Sequence, residues 1–368
     1  MNRRQRFLAT FNFEDVDRLP DYEFGYWDET IDRWHEQGLP AHLKSQRDVE
    51  LFFGLEGWES EETLPVVTGM WPRMPQRILS EEADKAVVDD GMGGIYVKKR
   101  WTSAVPHYLR HPIRSREDWE RLRPFFDPDT PGRYPVNWEE IAQQYKDRDC
   151  PVRISVGSLY GWIRDWIGVE RLSIAYYRET DWVEEMMDTL TNLWMQVLPR
   201  ALRDVEIDYA TWWEDMCYNR GPLLSVRLFE EFMVPRYKKV TDLLAGHGVK
   251  INVLDCDGRI NELVPGWLEG GINCMFPLET AHTDVIQLRE RFGKKVLLMG
   301  AVNKLALMGS KSMIDAEVKR LTPLVKQGGY VPTVDHRVPP EVTLENYSHY
   351  LKEKRRAIGR IEDAPDTY

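Results

Sequence analysis

The chain has 368 residues, 42% hydrophobic and 30% charged, with a formal net charge of −11 and a pI of about 5.4. That size and balance fit two modest domains or one α/β barrel with extensions, and the absence of a basic block argues against nucleic acid as a partner. No stretch approaches the roughly 18 apolar residues of a membrane helix, residues 7–11 are too short for a signal-peptide core, and the four cysteines contain no Cys-x-x-Cys pair, so the expected location is a reducing cytoplasm.

Residues 1–20 read as a helix stopped at Pro20, and 28–36 as a second helix with Ile31 and Trp34 on one face. Together with a turn and a short apolar run at 64–67, they make residues 1–75 an N-terminal extension. Residues 76–105 differ. Short β-rich runs at 76–79, 85–89 and 94–101, the last two joined by Gly91-Met92-Gly93-Gly94, predict a small antiparallel β insertion. No helix follows those glycines, so they are not read as a phosphate loop.

From 151 to 358 the rhythm is strand then helix. Strands are expected at 152–156, 209–213, 250–254, 273–276, 295–299 and 330–334. Helices are expected at 182–205, 226–245, 261–269, 283–292, 313–327 and 341–358. Successive βα units without reversal imply a parallel sheet. Polar residues recur just after nearly every strand, which favours a TIM-type (β/α)8 barrel over a doubly wound sheet, because in a barrel all strand ends open on one mouth. The whole chain, 1–368, is then a single barrel domain.

The strand ends carry Glu214 and Asp215; Asp255, Cys256 and Asp257; Glu279; Asn303; and Asp335 and His336. Asp255 and Asp257 are two apart, so in extended chain they share a side, with Cys256 opposite. Two acids on one side repel and are costly to desolvate together. A metal, a shared proton, an arginine or a cationic substrate would compensate; a plain solvated turn before Gly258 is the bland alternative. As a metal site, Asp255, Asp257, Glu279 and His336 make a mostly oxygen set that suits zinc, manganese or iron, and a contribution from Cys256 would favour zinc. Without a metal, one carboxyl stays protonated and works with His336; Asp257, His336 and Glu214 are the candidate acid–base residues. Tyr26, Trp27, Trp162, Trp213 and Tyr330 are the aromatic residues expected to line a substrate pocket, although aromatic clusters are first of all core material.

Several segments together resemble the uroporphyrinogen decarboxylase-like superfamily, and in particular its branch of corrinoid (cobalamin) methyltransferases. They are Arg4-Gln5-Arg6-Phe7-Leu8-Ala9 with Asp17-Arg18-Leu19-Pro20; Gly221-Pro222-Leu223-Leu224-Ser225 with Phe229-Glu230-Glu231-Phe232 and Pro235; Asp257-Gly258 with Leu263-Val264-Pro265; and Gly328-Gly329-Tyr330-Val331-Pro332 through Asp335-His336. The resemblance implies a distorted (β/α)8 barrel. Where the decarboxylases carry an arginine-rich segment with Gln-Ala-Gly-Arg, this chain has Asp21-Tyr22-Glu23-Phe24-Gly25-Tyr26-Trp27, an acidic and aromatic run that would repel a polyanionic porphyrinogen. Where the methyltransferases hold zinc with a His-x-Cys-Gly motif, this chain has Asp255-Cys256-Asp257-Gly258, and His336 lies near the late ligand position.

The resemblance therefore implies a corrinoid-linked methyltransferase. Its small methylated substrate would be an amine or an aryl ether, its corrinoid would be carried by a partner protein, and its divalent metal (zinc being the favoured ion) would be harder-liganded than in the relatives. A decarboxylase of uroporphyrinogen or another carboxylated aromatic is the alternative enzyme, with Arg153, Arg164, Arg259 and Arg337 as the nearby arginines. A non-catalytic protein that binds a corrinoid or an aromatic ligand is the alternative of another class.

Overall fold

The computed structural model of the chain describes residues 1–57, 63–99 and 107–360. After three short helices, Arg3–Phe11, Asp28–Glu36 and Gln46–Phe52, an antiparallel meander runs in the order β1 (Arg77–Glu81), β2 (Lys85–Asp89), β3 (Ile95–Lys99) and β4 (His107–Arg110). Its fourth strand extends past the expected end at 105; residues 100–105 of the expected insertion lie outside the described residues.

The centre is a six-stranded sheet built from β5 (Arg153–Gly157), β6 (Tyr209–Trp213), β9 (Ile251–Asp255), β10 (Cys274–Phe276), β11 (Leu297–Val302) and β12 (Tyr330–Val334). A two-residue ribbon, β7 (Cys217–Tyr218) with β8 (Gly221–Pro222), follows β6. All ladders of the large sheet are parallel, in the order β12-β11-β10-β9-β6-β5. The expected helix at 226–245 is two, Val226–Phe232 and Val234–Gly246, and Pro235 stands in the first turn of the second. Proline is tolerated there because the first-turn N–H groups have no helical partner.

Alternation along the strands sorts the side chains into two cores. Ile154, Val156, Ala210, Trp212, Leu254, Met275, Leu298 and Tyr330 belong to the large cluster under the outer helices. Tyr209, Ile251, Val253, Cys274, Phe276, Leu297, Met299 and Val331 form a separate inner cluster. Phe7 and Phe11 complete that inner cluster, so the N-terminal helix plugs the barrel floor; the Phe7 ring lies 4.8 Å from that of Tyr209. An Asn2–Gln5 capping box starts this helix. The inner wall is tight where β10 and β11 end. A methyl group at Gly300 (φ +110°) would lie 1.7 Å from the Pro277 carbonyl oxygen, so only glycine fits.

Six strands leave two places in the ring, and extended segments without a regular ladder occupy them. Thr63 bridges Arg153 of β5, and the Leu64 N–H donates to the Arg153 carbonyl. On the far side, Tyr26 bridges Val338 just beyond β12, and the Val338 N–H donates to Gly25. The two segments meet where the Glu56 N–H donates to the Asp21 carbonyl, 3.1 Å.

Buried charge replaces the missing ladder. Glu23 accepts from the Val334 N–H at 3.0 Å, from the Tyr350 hydroxyl at 2.7 Å and from Lys354 at 2.6 Å. Asp21 lies 3.0 Å from Lys354 and 2.8 Å from both Arg355 and Arg360. Burial alone would raise the Asp21 carboxyl, but Lys354 and Arg355 outweigh it and hold it at about 2. No described helix is long and apolar enough to cross a membrane.

Asp21→Asn would leave three cations short of a buried partner, so it is expected to destabilise the fold at pH 7 by roughly 3–5 kcal/mol. The folded-state value lies below the ordinary one, so this contribution is complete above about pH 4 and fades as pH falls towards 2. Urea titrations of both proteins across that range would check it; a difference that does not shrink on acidification would contradict the assignment.

Candidate functional site

Extending the alternation of β6 and β9 past their ends builds the site. Tyr209, Thr211 and Trp213 share the inner face of β6, and Asp215 continues that series. In the same way Asp255 and Asp257 continue Ile251 and Val253 of β9. The two strand ends stay laced together: the Glu214 N–H donates to Asp255 O at 2.9 Å, the Asp257 N–H to Asp215 Oδ1 at 3.4 Å and the Arg259 N–H to Tyr218 O at 2.9 Å. As a result, one carboxylate oxygen from each of Asp215, Asp255 and Asp257 lies within 4.8 Å of the other two.

This trio is under electrostatic load. Burial first, then the neighbouring Asp257 charge, push the Asp215 carboxyl up to about 6, against the pull of Arg164. Asp257 Oδ1 is buried with no hydrogen-bond partner, while its Oδ2 lies 3.4 Å from His336 Nε2. The imidazole is boxed by aromatic rings: Trp27 stacks on it at 5.3 Å and Phe24 meets it edge-on at 5.6 Å. The Arg337 guanidinium lies over Phe24 and Trp27, at 5.4 and 5.9 Å. Across the mouth, Arg164 lies 5.3 Å from the centre of the Trp213 ring. It donates to the Asp215 carbonyl at 2.6 Å and to Asp165 Oδ1 at 3.1 Å. Asp215 itself has φ +42°, a left-handed conformation that aspartate and asparagine adopt more readily than other side chains.

Several expected site residues stand elsewhere. Glu214, expected as an acid–base group, is fully buried on the outer face. It accepts from the Ser158 hydroxyl at 2.9 Å and from the Leu159 and Tyr160 N–H groups at 2.9 and 2.7 Å. It therefore clamps the loop after β5, outside the carboxylate trio, and burial raises its carboxyl despite those donors. Glu279, expected as a ligand, is engaged by the Gly258 N–H at 2.9 Å and by Lys304 at 2.8 Å, and it stands outside the carboxylate trio. Cys256, the optional thiolate, is 1% exposed in the outer core; burial and the adjacent Cys217 thiol push it well above the ordinary thiol range, so it supplies no ligand.

The aromatic set divides too. Tyr26 is 1% exposed, with its hydroxyl 2.9 Å from that of Tyr347, and belongs to the core. Tyr330 is fully buried at the start of β12, donating to the Gly300 carbonyl at 2.8 Å, a full strand length below the mouth. Trp162 packs over Gly157 and Gly69 against Trp166 and Trp194. Trp27 and Trp213 remain as mouth residues. Asp335 is also structural, accepting from the Thr280 and Lys304 N–H groups. The sequence reading placed Asp215 among the strand ends without assigning it a role; carrying the β6 alternation two residues further would have selected it over Glu214.

The donor set fits a hard or borderline divalent cation. Three carboxylates converge, one of them, Asp257, with an oxygen that lacks a hydrogen-bond partner; His336 touches Asp257 but stands outside the trio, and no thiol joins. Acid–base residues gathered at the C-terminal mouth of a parallel α/β barrel define the enzyme arrangement of this fold class. The chain belongs to the uroporphyrinogen decarboxylase (URO-D) family, whose profile matches residues 87–356. A uroporphyrinogen decarboxylase of Serratia proteamaculans is 25% identical over 297 residues, covering 76% of this chain and 78% of that protein. One from Geobacter sulfurreducens is 24% identical over 268 residues, covering 66% and 71%. Among solved structures, a methyltransferase from Methanosarcina mazei superposes with a TM-score of 0.61 at 16% identity, covering 97% of this chain and 99% of that one; at that identity the likeness speaks for the fold.

Asp215→Asn is expected to stabilise the protein without added metal at pH 8. The folded-state carboxyl titrates near 6 instead of near 3.8, so the wild type carries the full penalty of a buried anion above about pH 6 and none below about pH 4. The gain should be on the order of 2–3 kcal/mol and should vanish as pH falls through that window, as read by thermal denaturation. A variant less stable at pH 8 would contradict the assigned load.

Proposed function

We propose that this URO-D-family enzyme transfers a methyl group from a small methylated amine or aryl ether. The proposed methyl acceptor is a corrinoid presented by a partner protein. The observation that carries the reading is the partially desolvated trio Asp215, Asp255 and Asp257, an anionic site whose Asp257 Oδ1 awaits a positive partner. The mouth offers little for a polyanion. Arg164 is held by Asp165 and the Asp215 carbonyl, and Arg259 pairs with Glu262 at 3.1 Å. Arg337 lies along the Phe24 and Trp27 rings. The likeness in fold to a methyltransferase supports the same direction.

In this mechanism Asp215, Asp255 and Asp257, with His336, hold a divalent cation, which when bound supplies Lewis-acid polarisation of the substrate's nitrogen or oxygen. The remaining work falls to the chain. Trp27 and Trp213 present ring faces to the methyl-bearing group, which carries or develops positive charge. Asp257 orients the His336 imidazole by their contact, and Trp27 and Phe24 keep its ring from turning. As the methyl group departs, the amine or phenolate left behind takes its proton from solvent at the mouth, because Asp215 and His336 are committed to the cation.

The names of the curated relatives favour a second reading, decarboxylation of a porphyrinogen. Two measurements separate the readings. Purified protein is expected to carry a divalent metal ion at the mouth, with Asp257→Ala lowering affinity there by at least about tenfold and the metal content by close to one ion per chain; an unchanged metal content in Asp257→Ala would sink the metal assignment. Incubation with uroporphyrinogen is expected to yield no coproporphyrinogen, and turnover there would replace methyl transfer with decarboxylation. Unchanged ligand affinity in Asp255→Asn/Asp257→Asn, with no turnover by either protein, would instead mark a binding protein.

A further inference from the structure

Two outer helices, Lys311–Gln327 and Leu344–Ile358, pack side by side after β11 and β12, and their seam is already filled by the buried Leu321, Leu324, Tyr347, Tyr350 and Leu351. At the solvent edge of that seam stands a group with no part in the mouth. His349 and Glu353 are one helical turn apart, and Asp315 faces them from the other helix. Asp315 Oδ1 is 2.7 Å from His349 Nε2, and one donor atom from each of the three lies within 4.8 Å of the other two. We propose that Asp315, His349 and Glu353 form a second metal site, outside the catalytic mouth, for a borderline transition-metal ion of the zinc, cobalt or copper class.

The geometry and the donor chemistry carry this. An imidazole and a carboxylate at i and i+4 on a helix project to the same side and can share one ion, with a third ligand from a neighbouring helix. A divalent ion seated between the two carboxylates and the imidazole would be attracted by both anions and gain a nitrogen ligand. The nitrogen donor selects against magnesium and calcium, which prefer all-oxygen sets. His349 and Glu353 side chains are 21% and 22% exposed, so they are partly ordered by packing yet reachable, while Asp315, at 53%, is free to adjust. Existing partners leave room. Glu353 Oε1 accepts from Arg356, an exposed side chain, at 2.6 Å. The other acid at the seam, Glu345, is engaged by Lys311 and does not compete. On binding, the proton on His349 Nε2 passes to solvent and the ion takes its place. Such an ion would join the last two βα units from outside, adding to the Asp315–His349 and Lys311–Glu345 pairs that already link the two helices.

The inference does not depend on the mouth's function, and its test keeps the two apart. Full-length protein carrying Asp255→Asn/Asp257→Asn is titrated with zinc and with magnesium by calorimetry, and its copper(II) complex is read by electron paramagnetic resonance. Zinc is expected to bind one ion per chain at least about tenfold tighter than magnesium, to raise Tm, and to show nitrogen hyperfine coupling in the copper form. Adding His349→Ala should remove all three, and Asp315→Asn should weaken zinc severalfold. Zinc affinity or a copper spectrum unaffected by His349→Ala would overturn the proposal, as would no zinc binding. Should the mouth double variant fold poorly by circular dichroism, the same His349→Ala comparison in the wild-type mouth reads a fall of one zinc equivalent, and an unchanged stoichiometry there overturns the proposal equally.

Discussion

Closing the ring with charge in place of a backbone ladder is the constraint on which the rest of this structure depends. Among the described residues, segments 19–26 and 63–68 lack the regular pairing of the six strands; 63–68 is held to β5 by hydrogen bonds to Arg153 and Ser155, and 19–26 by Asp21 and Glu23 against Lys354 and Arg355. The cluster lies between the N-terminal segment, the end of β12 and the final helix. It fixes Tyr22 and Phe24 against the inner core and sets the chain's course into Trp27. Phe24 and Trp27 in turn box His336. The orientation of the His336 imidazole thus traces back to a buried ion network that holds the end of β12 at Val334, two residues before it. Buried ion pairs contribute little net stability compared with apolar packing but strongly disfavour any arrangement that separates them. That is the property needed where a sheet must close at one register without a ladder to define it.

The mouth reverses this balance. At the closure, the two acids Asp21 and Glu23 are each paired with cations, Lys354, Arg355 and Arg360. At the strand ends, Asp215, Asp255 and Asp257 face one imidazole and one arginine, and Arg164 spends its donors on Asp165 and on a main-chain carbonyl. Burial raises both carboxyls, but Lys354 and Arg355 overcome it at Asp21 and bring it down to about 2, whereas at Asp215 the neighbouring Asp257 adds to it and the carboxyl rises to about 6. Within an otherwise well-paired fold, the Asp257 oxygen without a hydrogen-bond partner and the raised Asp215 carboxyl mark the mouth as electrostatically loaded.

Much of this architecture is written in hydrophobic rhythm. The strands at 209–213 and 330–334 and their neighbours are readable because buried parallel strands are short, apolar and regularly spaced. The helix break at Met233 is foreshadowed by Pro235. The closing segments carry no such signal, since their pairing rests on side chains from residues 350–360, more than 300 positions away. The site was legible to the extent that strand alternation was followed past the strand ends. It places Asp255 and Asp257 together and Cys256 away from them, and it would have preferred Asp215 to Glu214. Tyr330 fails for a related reason: it begins its strand, and only strand C-termini open on the mouth. The engagement of Glu279 by Lys304 and the Gly258 N–H could not be read, because composition does not say which acid already has a partner.

The exchange of a thiolate ligand pattern for Asp255-Cys256-Asp257-Gly258 acquires a physical meaning from this geometry. A cysteine is present in the motif, yet the pleat turns it into the outer core beside Cys217, and it stays protonated there. The two positions that face the mouth are both carboxylates, and a third is added from β6. Carboxylates hold a cation by charge and release it more readily than thiolates do, and they do not lend it the soft character that makes a bound thiol a strong nucleophile. A site of this kind is suited to gripping and polarising a substrate heteroatom. Under the methyl-transfer reading proposed above, Asp255 at the end of β9 and Asp257 just beyond it would make this a mouth that polarises a leaving group.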